Sequence, residues 1–222
     1  MPTLSELVSR VSFLAAMPAV IGLFVTAGIL AISREWRLNV FALTLQYFFV
    51  VLLLTRQIRL EVAAVKGLIG WMICMVFYLT ERRSVGLRQV PERDPSQAGS
   101  MRWQRWMVSA RASFALLATI MVSVAAYTAA LRLPLPEVPG DISLACYVLA
   151  GLGLLLIGLS EAPMQVGFGL LTFLSGFDLF YVALEPSLAV AGLFGAISLL
   201  IALAVTYLRS VEIASGSEGQ LL

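Results

Sequence analysis

Long apolar runs separated by short polar clusters set the rhythm of this chain. The runs cover residues 11–32, 38–55, 62–80, 112–131, 143–160, 164–184 and 187–208. At 1.5 Å per residue, helices of about 20 residues cross a hydrocarbon core of about 30 Å. The pattern therefore predicts seven transmembrane helices. Thr3-Leu-Ser-Glu6 fits a capping box, which starts the first helix in water, and Pro18 predicts a kink within it. The second run, LNVFALTLQYFFVVLLLT, is interrupted only by Thr44 and Gln46.

The breaks are equally informative. Ser33-Arg34-Glu35-Trp36-Arg37 closes the first run, with Trp36 suited to the headgroup level. Arg56 to Glu61 makes the second turn, and Glu185-Pro186 predicts a sharp reversal before the last run. LPLPEVPGD, with Pro134, Pro136 and Pro139, is too rich in proline for a helix. Residues 81–111 form the one long polar segment. Its centre, with Pro91, Pro95, Ser96, Gly99 and Ser100, reads as a flexible linker. Its end, MRWQRWMVSAR, reads either as a short interfacial helix or as the basic flank of the fourth span. The tail from Arg209 ends in SGSEGQLL, expected to lack order at its end.

Composition fixes the class. Of the 222 residues 60% are hydrophobic and the mean hydropathy is +0.93, too apolar for a soluble domain of this size. The opening MPTLSELVSR places an acid before the first basic residue, unlike the positive start of a signal peptide. Charge distribution sets the orientation. With alternating sides, Arg34, Arg37, Arg209 and seven arginines of the long loop share one side, ten in all; Arg10, Arg56, Arg59 and Arg132 share the other. The positive-inside rule then puts the N-terminus outside and the C-terminus in the cytoplasm, with the chain integral to a bacterial cell (inner) membrane.

An internal repeat follows from the topology. Spans one to three and five to seven run in the same sense, and span four returns the chain between them. At an offset of 127 residues Ser33 matches Ser160, Phe41 matches Phe168 and Leu43 matches Leu170. The expected architecture is all-α: a first three-helix repeat at 1–80; a cytoplasmic loop, linking helix and outer loop at 81–142; a second, parallel three-helix repeat at 143–208; and a cytoplasmic tail at 209–222.

The candidate chemistry is spare. There is no histidine, no phosphate-binding glycine loop and no nucleophile–base constellation, so no catalytic site, cofactor, metal site or nucleic-acid partner is expected. Cys74 and Cys146 both fall in or beside apolar runs and read as packing residues. The polar candidates for an ion pathway or a buried polar site are Lys66, Asp178, Gln46, Ser175 and Thr44. Lys66, the only lysine, lies near enough to its helix end to snorkel, so a structural role competes with a functional one. Asp178 is too short to snorkel, and lies at nearly the same expected depth. The two are expected to form a buried pair, the competing reading being two unrelated residues. The glycines of the second half, among them Gly153, Gly169, Gly176 and Gly192, suit close helix packing or docking of other membrane subunits.

The chain resembles the hydrogenase-4 component E family, integral membrane proteins of hydrogenase-4 and related formate hydrogenlyase complexes. That family is similar in turn to the small three-helix K chain of respiratory complex I and to the small C component of multi-subunit cation/proton antiporters. The resemblance rests on size, the seven spans, the break after the third, Arg37-Leu38 with Gln46 in the second span, and Lys66 before Gly-Leu-Ile in the third. It implies a non-catalytic subunit of a complex I-like or group 4 hydrogenase-like assembly, contributing to proton translocation or scaffolding coupled to electron transfer. Other membrane subunits and the lipid bilayer would be its partners. The complex I relatives carry glutamates in their second and third helices that belong to a lateral proton path. Here the sixth span has no glutamate, with Ser175 near the expected place and Asp178 a turn later, and the seventh has no acid. The alternative is a stand-alone secondary transporter or small-ion antiporter component. Against it, neither repeat shows broken helices with clustered polar groups.

Overall fold

The computed structural model describes residues 4–33, 35–56, 58, 60–87, 101–133, 138–184 and 187–218. These form seven α-helices: α1 (Leu4–Ile32), α2 (Trp36–Leu54), α3 (Leu60–Leu87), α4 (Met101–Arg132), α5 (Gly140–Leu159), α6 (Pro163–Leu184) and α7 (Leu188–Glu218). Among the described residues, α2 to α7 each contain a stretch long and apolar enough to cross a membrane. In α1 the described apolar part is the shorter Pro18–Ile32, within a helix of 29 residues that runs on through Pro18. Among the described residues the regular structure is all helical, and the chain is an integral membrane protein.

Three helices run further than the hydropathy alone predicts. MRWQRWMVSAR is the first part of α4, continuous with the span that follows, so the separate interfacial helix is not formed. α3 extends past residue 80 to Leu87. The expected tail is mostly the end of α7, helical to Glu218. Polar residues are adequate helix formers, and the apolar window marks only where a helix meets lipid. The capping-box side chains, the linker centre at 88–100, the Pro134–Pro136 stretch and the Glu185-Pro186 turn lie outside the described residues.

The most extensive pairing joins α5 to α6. Small residues permit it: a Cβ built on Gly153 would stand 2.5 Å from the Phe173 backbone nitrogen, and one on Gly176 3.0 Å from that of Ala150. In lipid, association rests on packing, so such close approach is what holds two helices together. α1 packs on α2 and α5, α3 on α2 and α7, α6 on α7 and α2, while α4 leans on α5 and α1 from outside. The core falls into two clusters. One gathers Leu23, Leu53, Ile142, Leu149 and Leu179; the other gathers Leu43, Ile73, Phe77, Phe168 and Leu171, with Phe77 and Phe168 edge to face at 5.2 Å. Outward faces remain apolar, with Phe41, Trp71, Met121 and Tyr207 among the exposed large side chains.

Ion pairs mark the two ends of the bundle. Past α2, Arg56 Nη1 lies 3.1 Å from Asp141 Oδ2 in the first turn of α5. Toward the opposite end, Arg209 of α7 lies 3.4 Å from Glu81 of α3, and its Nη1 is 2.8 Å from Glu212. The Tyr147 hydroxyl donates to the Leu133 carbonyl at 3.1 Å, which ties the start of α5 to the end of α4.

Candidate functional site

Most hydroxyls inside the helices are satisfied locally. Thr26 donates to the Gly22 carbonyl, Thr44 to Val40, Thr119 to Ala115, Ser175 to Leu171 and Ser198 to Phe194, each four residues back. This back-bonding lets a hydroxyl sit in an apolar bundle without a neighbour's help. What remains is the set of buried polar groups that local geometry does not satisfy.

Lys66 and Asp178 lead that set. The Lys66 ammonium pairs with Asp178 Oδ1, and both side chains are buried. Lys66 is six residues into α3 and Asp178 six residues before the end of α6. By the helical rise each lies about 9 Å in from the same end of the bundle. The ammonium therefore does not snorkel. It is turned inward, with the ring centroid of Phe194 in α7 5.8 Å away. Asp178 Oδ2 has no hydrogen-bond partner among the described residues. The expected pairing of the two charges is present.

Tyr47 extends the polar region along α2. Its side chain is buried and its hydroxyl faces Ser175 of α6, within electrostatic range of Cys74 and Asp178. Among the described residues no well-formed hydrogen bond satisfies that hydroxyl. Gly70 of α3 makes room for the ring: a Cβ there would stand 2.8 Å from Tyr47 Cγ. Cys146 of α5 borders Asp178 from another side. Both cysteines are free and buried. Sequence reasoning named Ser175 but passed over Tyr47. Its signal was a tyrosine far inside a span, away from the interfaces where tyrosine concentrates.

Thr44 and Cys74 line a cleft of about 580 Å³ between α2 and α3. Arg37 and Arg82 stand at its mouth, with Trp36, Trp71 and Tyr78 along its walls. Gln46 is fully buried, and neither its carbonyl oxygen nor its amide nitrogen has a hydrogen-bond partner among the described residues. Thr172 and Ser143 are buried with unpartnered hydroxyls as well. Burying such groups without partners costs several kcal/mol in an apolar medium, roughly 2–7 per group, so this interior is suited to water or an ion. Lys66, Asp178 and Ser175 are thus brought together, Thr44 lines the α2/α3 cleft, and Gln46 is a separate buried amide. Among the described residues no three cysteine, aspartate or glutamate side chains are grouped to hold a metal ion.

No family model, curated protein or solved structure matches this chain.

Proposed function

We propose that the chain is a non-catalytic integral membrane subunit of a complex I-like or group 4 hydrogenase-like assembly, carrying part of an ion (proton) path coupled to electron transfer in other subunits. The observation that carries this reading is the buried Lys66–Asp178 pair. Ion pairs are expensive inside an apolar bundle and are retained where charge or protons must move. The pair has two forms of equal net charge, ammonium with carboxylate and amine with carboxylic acid. A proton taken up by the pair from one side is balanced only when another is released on the other side, so the pair can relay protons one for one. Tyr47 and Ser175 supply hydroxyls next to the pair, and Thr44 and Cys74 lead on to the α2/α3 cleft.

The same reading includes seven spans arranged as two parallel repeats, N-terminus outside, in a bacterial inner membrane. The packing supports the repeat: α1 meets α5, α2 meets α6 and α3 meets α7, each helix against its counterpart. Ser33 and Ser160, matched by the 127-residue offset, each stand immediately after a helix, α1 and α5. The family resemblance rests on Arg37, Leu38, Gln46 and Lys66, of which Gln46 and Lys66 are buried polar groups.

Mild detergent extraction from native membranes tests the assembly. Co-migration with redox subunits in a large complex is expected. A small, self-contained oligomer with transport activity of its own would replace this reading with that of a stand-alone transporter.

A further inference from the structure

The cleft between α2 and α3 has a second property that the ion path does not use. Its mouth carries two guanidinium groups, Arg37 from the first turn of α2 and Arg82 from late in α3, both exposed. Neither has a carboxylate within ion-pair distance among the described residues. Glu81, the acid next to Arg82, is buried and pairs with Arg209 on the α7 side. Glu35, the exposed residue before α2, does not line the cleft. The mouth is therefore positive, while apolar walls are supplied by Val40, Phe41 and Met75, the last two exposed to the lipid side. Trp36 stands at the rim, its ring centroid 5.3 Å from the Arg37 guanidinium carbon and 6.0 Å from the tilted Tyr78 ring.

A charged rim above an aromatic belt above an apolar trough matches one chemistry, an anionic lipid headgroup with acyl chains below it. We infer that the α2/α3 cleft is a binding site for an anionic glycerophospholipid, its phosphodiester held between Arg37 and Arg82 and one acyl chain lying over Phe41 and Met75. Arginine suits the task because its planar fork donates two hydrogen bonds to one phosphate. A neutral isoprenoid or a helix from another protein would fill the trough equally well but would leave both guanidiniums without an anion. Charge complementarity therefore selects the lipid.

The test uses the full chain in detergent, with Trp103 and Trp106 replaced by phenylalanine so that only Trp36 and Trp71 fluoresce. Brominated phosphatidylglycerol should quench this fluorescence at a mole fraction roughly tenfold lower than brominated phosphatidylcholine with the same acyl chains. Arg37→Gln with Arg82→Gln should abolish that preference while helicity and monodispersity stay unchanged. Native mass spectrometry of the unmodified chain should show one retained phosphatidylglycerol, lost in the double variant and not displaced by soluble glycerophosphate. Equal quenching by the two lipids, a preference that survives loss of both arginines, or saturable quenching by a brominated neutral isoprenoid with no response to charge would each overturn the assignment.

Discussion

Lys66 and Asp178 come from different helices, each six residues from a helix end, and their charges meet about 9 Å inside the bundle. Neither charge is stable there alone. Lys66→Met or Asp178→Leu should each destabilise the chain by about 3–5 kcal/mol, because each strands the other charge. Lys66→Met with Asp178→Leu should recover most of that loss, while any ion-coupled activity stays absent. Unfolding in mixed micelles checks the first effect, and flux in proteoliposomes the second. Additive losses in the cycle would mean that the two charges do not depend on each other.

Tyr47 separates a structural from a functional role. Its buried hydroxyl has no well-formed hydrogen bond, so Tyr47→Phe should leave stability unchanged or raise it by about 1 kcal/mol. If the hydroxyl relays protons between the cleft and the Lys66–Asp178 pair, the same variant should slow flux strongly. Gly70→Ala should act by sterics instead, since the new methyl would meet the Tyr47 ring at 2.8 Å. A loss of about 1–3 kcal/mol is expected, relieved by a smaller residue at position 47.

The helices were legible because lipid demands long apolar runs, and each run predicted a helix in the right place, with both ends matched to within about three residues in α2, α5 and α6. Helical ends in water carry no such demand, so the extensions of α3 and α7 and the start of α4 were not visible in hydropathy. Lys66 and Asp178 stood out because charge is rare in spans, and their nearly equal expected depth suggested their meeting. Tyr47 was hidden by its own chemistry: an aromatic ring is ordinary in a membrane, and only packing shows that its hydroxyl is buried facing Ser175. The separation of Glu81 from Arg82, adjacent in sequence but facing different neighbours, also needs the packed helices to appear.

The glycines divide into two kinds that sequence did not distinguish. Gly153 and Gly169 lie in the α5/α6 contact, where a Cβ would meet backbone atoms at 2.5 Å and 2.9 Å. Gly153→Val or Gly169→Leu should therefore destabilise the isolated chain by more than about 2 kcal/mol, seen as a lower melting temperature in detergent. Gly192 has open space around it, so Gly192→Leu should fold normally. Loss of a native complex with that variant alone would place a partner on this face of α7.

Topology can be read with the native cysteines left in place, because Cys74 and Cys146 are buried and should stay silent to an impermeant maleimide. Three positions give the decisive pattern. Glu35→Cys is exposed between α1 and α2, Gly140→Cys is exposed at the start of α5, and Ser96→Cys falls between α3 and α4. The arginine distribution predicts that Gly140→Cys reacts in intact cells, while Glu35→Cys and Ser96→Cys react only when the cytoplasmic face is opened. Reversed reactivity would invert the orientation. Equal reactivity of Ser96→Cys and Gly140→Cys would mean that α4 does not cross. α1 has the shortest described apolar stretch of the seven helices, Pro18–Ile32. Ser5→Cys decides its crossing: reaction from outside, opposite to Glu35→Cys, makes α1 the seventh span, and reaction from the same side would leave six.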